Sequence, residues 1–232
     1  MTTIYLIRHG QASFGQQNYD QLSNKGERQA QILGQALKQV INQPTYAIAG
    51  SLQRHQQTAN IALSECFPDI ALKTNAGWNE FNHQQVIAKY DPRFEQAEAI
   101  KQELALAANP KAYMAKIFHA AVSRWTSGEY DHDYDEPWPM FKQRIDQALQ
   151  QLCKDLIEQK TKQALVFTSG GVISTVLGQL LELSLHKTFE LNWAINNASI
   201  TTLGLSEHHL KLLSLNEHYF LKAVNADLVT WV

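Results

Sequence analysis

The chain has 232 residues, 44% of them hydrophobic and 18% charged, enough to bury a core as one large domain or two small ones. Its formal net charge of −2, with no run of like charges, lacks the basic excess of a nucleic-acid-binding surface. Cys66 and Cys153 make neither a metal-ligand cluster nor a disulfide framework, which points to a reducing compartment, and no window approaches the ~20 apolar residues of a membrane span, so a cytoplasmic location is expected.

Ile4-Tyr5-Leu6-Ile7 is β-branched, aromatic and too short for a helix, so it reads as a buried strand. Arg8 and His9 emerge at its carboxyl end, and Gly10 permits a sharp turn. Carboxyl ends of parallel strands are where open α/β sheets bind ligands. Taken alone, the stretch fits better a strand that merely ends in two surface polar residues.

Ser23 is an N-cap for a helix from Asn24 to about Ile41, with apolar residues at helical spacing and Glu27 in the first turn. "TYAIAGS", residues 45–51, is a second strand stopped at Gly50-Ser51, and "RHQQTANIALSECF" a second helix ended by Pro68. "ALKTNAGWNEF" reads as a short third strand leading into a loop around Trp78. Residues at about 82–137 form an insertion with helical pieces at 94–108 and 111–125 and an acidic turn, "EYDHDYDEPWP". It is expected to cap the mouth of the sheet. A helix over 140–159, the buried strand "ALVFTSGG", a helix over 172–183 and a hairpin turning at Ser206-Glu207 complete the chain. Strands alternating with helices predict a single domain over 1–232, a three-layer α/β/α sandwich. Its sheet is expected to be mostly parallel with a late antiparallel edge strand.

Three strand ends then present polar residues: Arg8-His9-Gly10, Ser51 through Arg54, and Ser169-Gly170-Gly171, with Glu80 in the loop after the third strand. Two arginines, a histidine and a carboxylate suit phosphoryl transfer. Guanidinium groups hold non-bridging oxygens bidentately. A neutral imidazole attacks phosphorus, and nearby arginines keep it neutral. A glutamic acid protonates the departing oxygen.

"LIRHG", "SLQRHQQTA" and "NEF", together with "DQLSNKGERQA" and "NNASITTL", resemble the histidine phosphatase superfamily, whose fold is phosphoglycerate mutase-like. The resemblance spans nearly the whole chain apart from the insertion. It implies that His9 is transiently phosphorylated, that Arg8 and Arg54 bind phosphate, and that Glu80 is the proton donor and later the base for water. It also implies phosphate contacts from Ser169 and Gly170. Two departures stand out. Ser169 occupies the position of the family's usual second histidine, and Ala12 and Gly15 replace a serine and an asparagine of the mutases. Serine is a neutral donor on a shorter arm, so catalysis should weaken without vanishing, roughly tenfold for about 1.4 kcal/mol.

The expected activity is therefore phosphomonoester hydrolysis on a small phosphorylated metabolite through phosphohistidine, with no metal and no cofactor. Mutase activity is disfavoured, and no nucleic-acid or membrane partner is expected. The alternative is a phospho-ligand-binding protein whose catalysis has lapsed with Ser169. Plainer readings stand beside these. Arg54 could be a solvated or ion-paired helix residue, and Glu80 an exposed loop glutamate. His83 could stand in for the missing histidine, although a surface or cap role is the commoner case. Ser169 lacks the Gly-x-Ser-x-Gly elbow of α/β-hydrolases because residue 167 is Phe. His208, His209 and His218 lack partners at metal-ligand spacing, and "DHDYDE" reads as a solvated acidic turn. Oligomeric state and the physiological substrate leave no signature in the sequence.

Overall fold

The computed structural model describes residues 1–13, 20–42, 44–207 and 209–231. Its strands are β1 (Thr2–Arg8), β2 (Tyr46–Ala49), β3 (Leu72–Thr74), β4 (Gln163–Thr168), β5 (Ile200–Ser206) and β6 (His209–Glu217). Its α-helices are α1 (Asn24–Val40), α2 (Gln53–Cys66), α3 (His83–Tyr90), α4 (Ala97–Leu106), α5 (Pro110–Thr126), α6 (Trp138–Glu158), α7 (Gly170–Leu180), α8 (Leu185–Ala194) and α9 (Tyr219–Val224).

The strands form one sheet in the order β3-β2-β4-β1-β5-β6. β1 runs parallel to β4, from Thr3 beside Gln163 to Arg8 beside Thr168, and β2 runs parallel to both β3 and β4. β5 pairs antiparallel with β1, and β6 antiparallel with β5. Mixed pairing with helices between strands gives the three-layer α/β/α architecture. β4 is buried from Ala164 to Thr168, as a central strand covered on both faces should be, whereas edge strand β6 alternates half-buried and exposed positions. The core between sheet and helices gathers Ile7, Ala47, Leu165 and Phe167 with Leu33 and Leu37 of α1 and Ala59 and Ala62 of α2. α1 begins where the sequence says it should. Ser23 Oγ accepts the Gly26 amide at 3.0 Å, and Glu27 sits in the first turn.

The late antiparallel part is the expected two-stranded hairpin, with β5 inside the sheet and β6 at its edge. Several boundaries differ from the sequence reading. α7 begins at Gly170, so the double glycine is its first turn and not a loop before it. The piece expected at 94–108 is a 3-10 turn, Pro92–Glu95, followed by α4, because Gln96 is extended. α8 and α9 were not anticipated; α8 starts at a serine cap, Ser184. The β5–β6 turn has Glu207 at φ 55, and residue 208 lies outside the described residues, as does Gly15.

The chain divides into two compact units, one of Met1–Glu80 with Ile145–Val232 and the other Phe81–Arg144. The first holds the sheet. The second is helical and centred on aromatic rings: Phe81 stacks on Trp125 at 4.7 Å and meets Phe141 edge-on at 5.5 Å. Its acidic turn is paired internally, Asp133 with Arg124 at 2.5 Å and Glu136 with Arg144 at 2.6 Å. Among the described residues no helix is long and apolar enough to cross a membrane.

Candidate active site

Neighbouring segments on both sides hold the main chain where β1 ends. Arg8 N donates to Ser199 O at 3.1 Å, His9 N to Thr168 O at 2.9 Å, and Ala198 N to His9 O at 3.1 Å. Asn197 Nδ2 adds a second donor to His9 O at 3.3 Å. The chain then turns at Gly10 directly against α1, since a Cβ there would lie 2.5 Å from Gly26 O. Only glycine fits that approach. The imidazole that results is 7% exposed, and its Nδ1 lies 2.7 Å from Gly10 O. A carbonyl only accepts, so Nδ1 carries the proton and Nε2 the lone pair. Burial, then the charges of Arg54, Arg8 and His55, hold His9 well below the ordinary imidazole value. The ring is neutral, with its lone pair on Nε2.

Arg8 sends its guanidinium back along the sheet, donating to Ile195 O and, at 2.9 Å, to Trp231 O. It passes Gly170, where a Cβ would lie 3.4 Å from Arg8 Nε. Arg54, the second residue of α2, is buried and ion-paired with Asp20 at 2.6 Å. The other oxygen of Asp20 accepts the Gln53 amide at 2.8 Å, so one carboxylate both starts α2 and steadies Arg54. One turn on, Thr58 Oγ1 accepts the Gly10 amide at 3.0 Å and donates to Arg54 O at 2.7 Å.

β4 supplies the third strand end. Thr168 Oγ1 donates to Trp78 O at 2.6 Å, which pins the loop carrying Glu80 to the end of that strand. Glu80 Oε2 then accepts the Gly171 amide at 2.9 Å, so the N-terminus of α7 seats a carboxylate of the protein itself. The Gly171 amide, next to the Gly170 expected to contact phosphate, is thus taken. Ser169, between strand and helix, is fully buried.

Ser169 has a partner the sequence reading did not single out. His55 Nε2 lies 2.6 Å from Ser169 Oγ, and the His55 ring centroid is 5.5 Å from that of His9. The histidine that reaches Ser169 is therefore His55 from α2; His83 opens α3 in the second unit. Burial, then Arg54, also holds His55 well below the ordinary value. A signal was present: His55, Thr58, Ala59 and Ala62 form the buried stripe of α2, so the face that packs inward reaches back to residue 55.

Arg8, His9, Arg54, Ser169, Gly170 and Glu80 all lie in the first unit, at or next to the carboxyl ends of β1, β2 and β4 and the loop after β3. The arrangement offers a neutral histidine, two guanidinium groups, a hydroxyl and a carboxylate. Among the described residues no three His, Cys, Asp or Glu side chains could share an ion, and His218 Nδ1 is bonded to Asn216 O at 2.6 Å. Cys66 and Cys153 are thiols pushed up to about 11 by burial.

Residues 4–218 match the sequence profile of the histidine phosphatase superfamily (branch 1). The fold is similar to that of phosphoglycerate mutase from Bacillus anthracis str. Sterne, at 18% identity, TM-score 0.67 and coverage of 95% of each chain. It is similar to alpha-ribazole phosphatase from Shigella flexneri, at 19% identity, TM-score 0.64, and 93% of this chain against 96% of that one. A variant of phosphoserine phosphatase from Entamoeba histolytica in complex with phosphoserine gives 21% identity, TM-score 0.63, and coverage of 95% and 100%. No curated protein sequence matches this chain.

Proposed function

This chain belongs to the histidine phosphatase superfamily, and we propose that it is a phosphomonoester hydrolase acting on a small phosphorylated metabolite through a phosphohistidine at His9. The observation that carries the reading is the bond between His9 Nδ1 and Gly10 O, which leaves the Nε2 lone pair for attack beside two arginines. In the first step Nε2 bonds to phosphorus as the ester oxygen departs, and Glu80 gives that oxygen its proton. In the second, water attacks phosphorus, Glu80 takes its proton, and the N–P bond breaks to release inorganic phosphate. Arg8 and Arg54 balance charge on the non-bridging oxygens throughout.

Small substrates are supported by the company the fold keeps, which includes a phosphoserine phosphatase bound in one structure to phosphoserine and in another to 3-phosphoglyceric acid. A second reading, a phospho-ligand binder without turnover, draws on the Gly171 amide being held by Glu80. Binding has no use for a proton donor, and hydrolysis does. The test is to quench turnover of a phosphoryl-labelled aryl phosphate. Label retained on His9 in base and lost in acid is the expected outcome; absence of any labelled protein during turnover would exclude the intermediate.

A further inference from the structure

Ser169 holds the N-cap position of α7, yet its side chain makes no cap bond. A capping serine accepts from the second or third amide of its helix. Here the second, Gly171 N, is taken by Glu80, and Ser169 Oγ turns instead to His55 Nε2 at 2.6 Å. Which atom donates follows from the other side of the ring. His55 Nδ1 is buried and has no hydrogen-bond partner among the described residues. It lies against Gly50, where a Cβ would come within 2.2 Å of it, so what faces Nδ1 is the hydrogen that glycine carries in place of a side chain. A proton on Nδ1 would be a buried donor without an acceptor, pressed against a C–H. A lone pair there accepts that C–H as a weak contact. The ring is neutral, so the proton sits on Nε2 and His55 donates to Ser169.

The consequence falls on the hydroxyl. With one lone pair filled by His55, Ser169 Oγ keeps its own proton, and among the described residues no acceptor receives it. Ser169 follows Thr168, whose carbonyl accepts the His9 amide at 2.9 Å, and the His55 ring that meets its hydroxyl has its centroid 5.5 Å from that of His9. We propose that Ser169 is a catalytic residue whose hydroxyl donates to an oxygen of the transferring phosphoryl group, and that His55 is the positioning residue that holds it as a donor. The pair divides between two side chains, from α2 and from the end of β4, the work expected of one histidine at residue 169. Gly50 belongs to the device, because any side chain there would displace the ring. This inference rests on the phosphomonoesterase reading above.

The experiment is a double-mutant cycle on aryl phosphate hydrolysis, with vanadate affinity measured on every variant. Ser169→Ala is expected to lower kcat by about 10- to 100-fold, within the range for loss of a preorganised donor. His55→Leu, which fills the space but cannot donate, should lower kcat about tenfold with little change in KM. His55→Gln, which can donate, should recover most of it. In the Ser169→Ala background His55→Leu should cost less than about threefold, because its route to the substrate is already gone. A purely packing role would make the His55→Leu cost the same in both backgrounds, and that equality would overturn the proposal. So would wild-type kcat in Ser169→Ala, whatever the His55 variants do. If the wild type shows no His9-dependent turnover, the hydrolase reading fails by itself. Vanadate then judges the pair: affinity lowered in both single variants supports it, and unchanged affinity overturns it.

Discussion

Thr58 ties Gly10 to Arg54, accepting the amide of the first at 3.0 Å and donating to the carbonyl of the second at 2.7 Å. One hydroxyl thereby links the turn after His9 to the helix that carries Arg54. Thr58→Val keeps the shape and removes both bonds. Leaving the buried Gly10 amide unsatisfied should cost about 1–3 kcal/mol of stability, read by denaturant unfolding. kcat should fall as well, because the turn that sets His9 loosens.

Arg54 is, after burial, the largest influence keeping His9 unprotonated. Replacing it with alanine removes positive charge from beside the ring, so His9 takes up a proton at higher pH. The acid limb of kcat/KM should move toward neutral pH in Arg54→Ala, and inhibition by phosphate should weaken. An acid limb that stays in place would show that Arg54 does not act on His9.

Glu80→Gln keeps an oxygen for the Gly171 amide but cannot donate a proton to a leaving group. kcat toward an alkyl phosphate should fall by ~10²–10⁴, while phosphate and vanadate still bind. Toward an aryl phosphate, whose leaving group needs less help, the loss should be smaller. Equal losses on both substrates would assign the acid to another residue.

His9 and His55 are both buried and both held below the ordinary histidine value near 6.5. The unfolded chain binds protons on them below about pH 6.5 and the folded chain does not, so stability is full above that value and falls as pH drops. Each contributes up to roughly 1 kcal/mol per pH unit in that window. Thermal midpoints between pH 7 and pH 5 should therefore fall, and the slope should be shallower in His55→Gln. A wild-type slope no steeper than that of the variant would contradict the burial of a neutral His55.

Much of the site was legible because strand ends announce themselves. The apolar run before Arg8-His9-Gly10 and the one before Ser169-Gly170-Gly171 each stop at a glycine, and the two strands are adjacent in the sheet. Ser23 marked α1 by its chemistry. His55 was less visible. Its significance lies in a contact across 114 positions of the chain, and only the stripe it shares with Thr58 and Ala62 hinted that it faces inward. The bonds from Arg8 to Ile195 O and Trp231 O had no signature at all, since a carbonyl belongs to every residue. The claim of Glu80 on the Gly171 amide was hidden for the same reason. α8 escaped because its pattern is weakly amphipathic, and Gln96 broke a predicted helix by backbone conformation alone.

The most direct measurement is steady-state hydrolysis of an aryl phosphate without added metal, comparing wild type with His9→Ala from pH 5 to 8. Turnover by the wild type that persists on the acid side, where an ordinary histidine would be protonated, and that disappears in His9→Ala, is the predicted result. Equal turnover in the two proteins would contradict a phosphohistidine at His9.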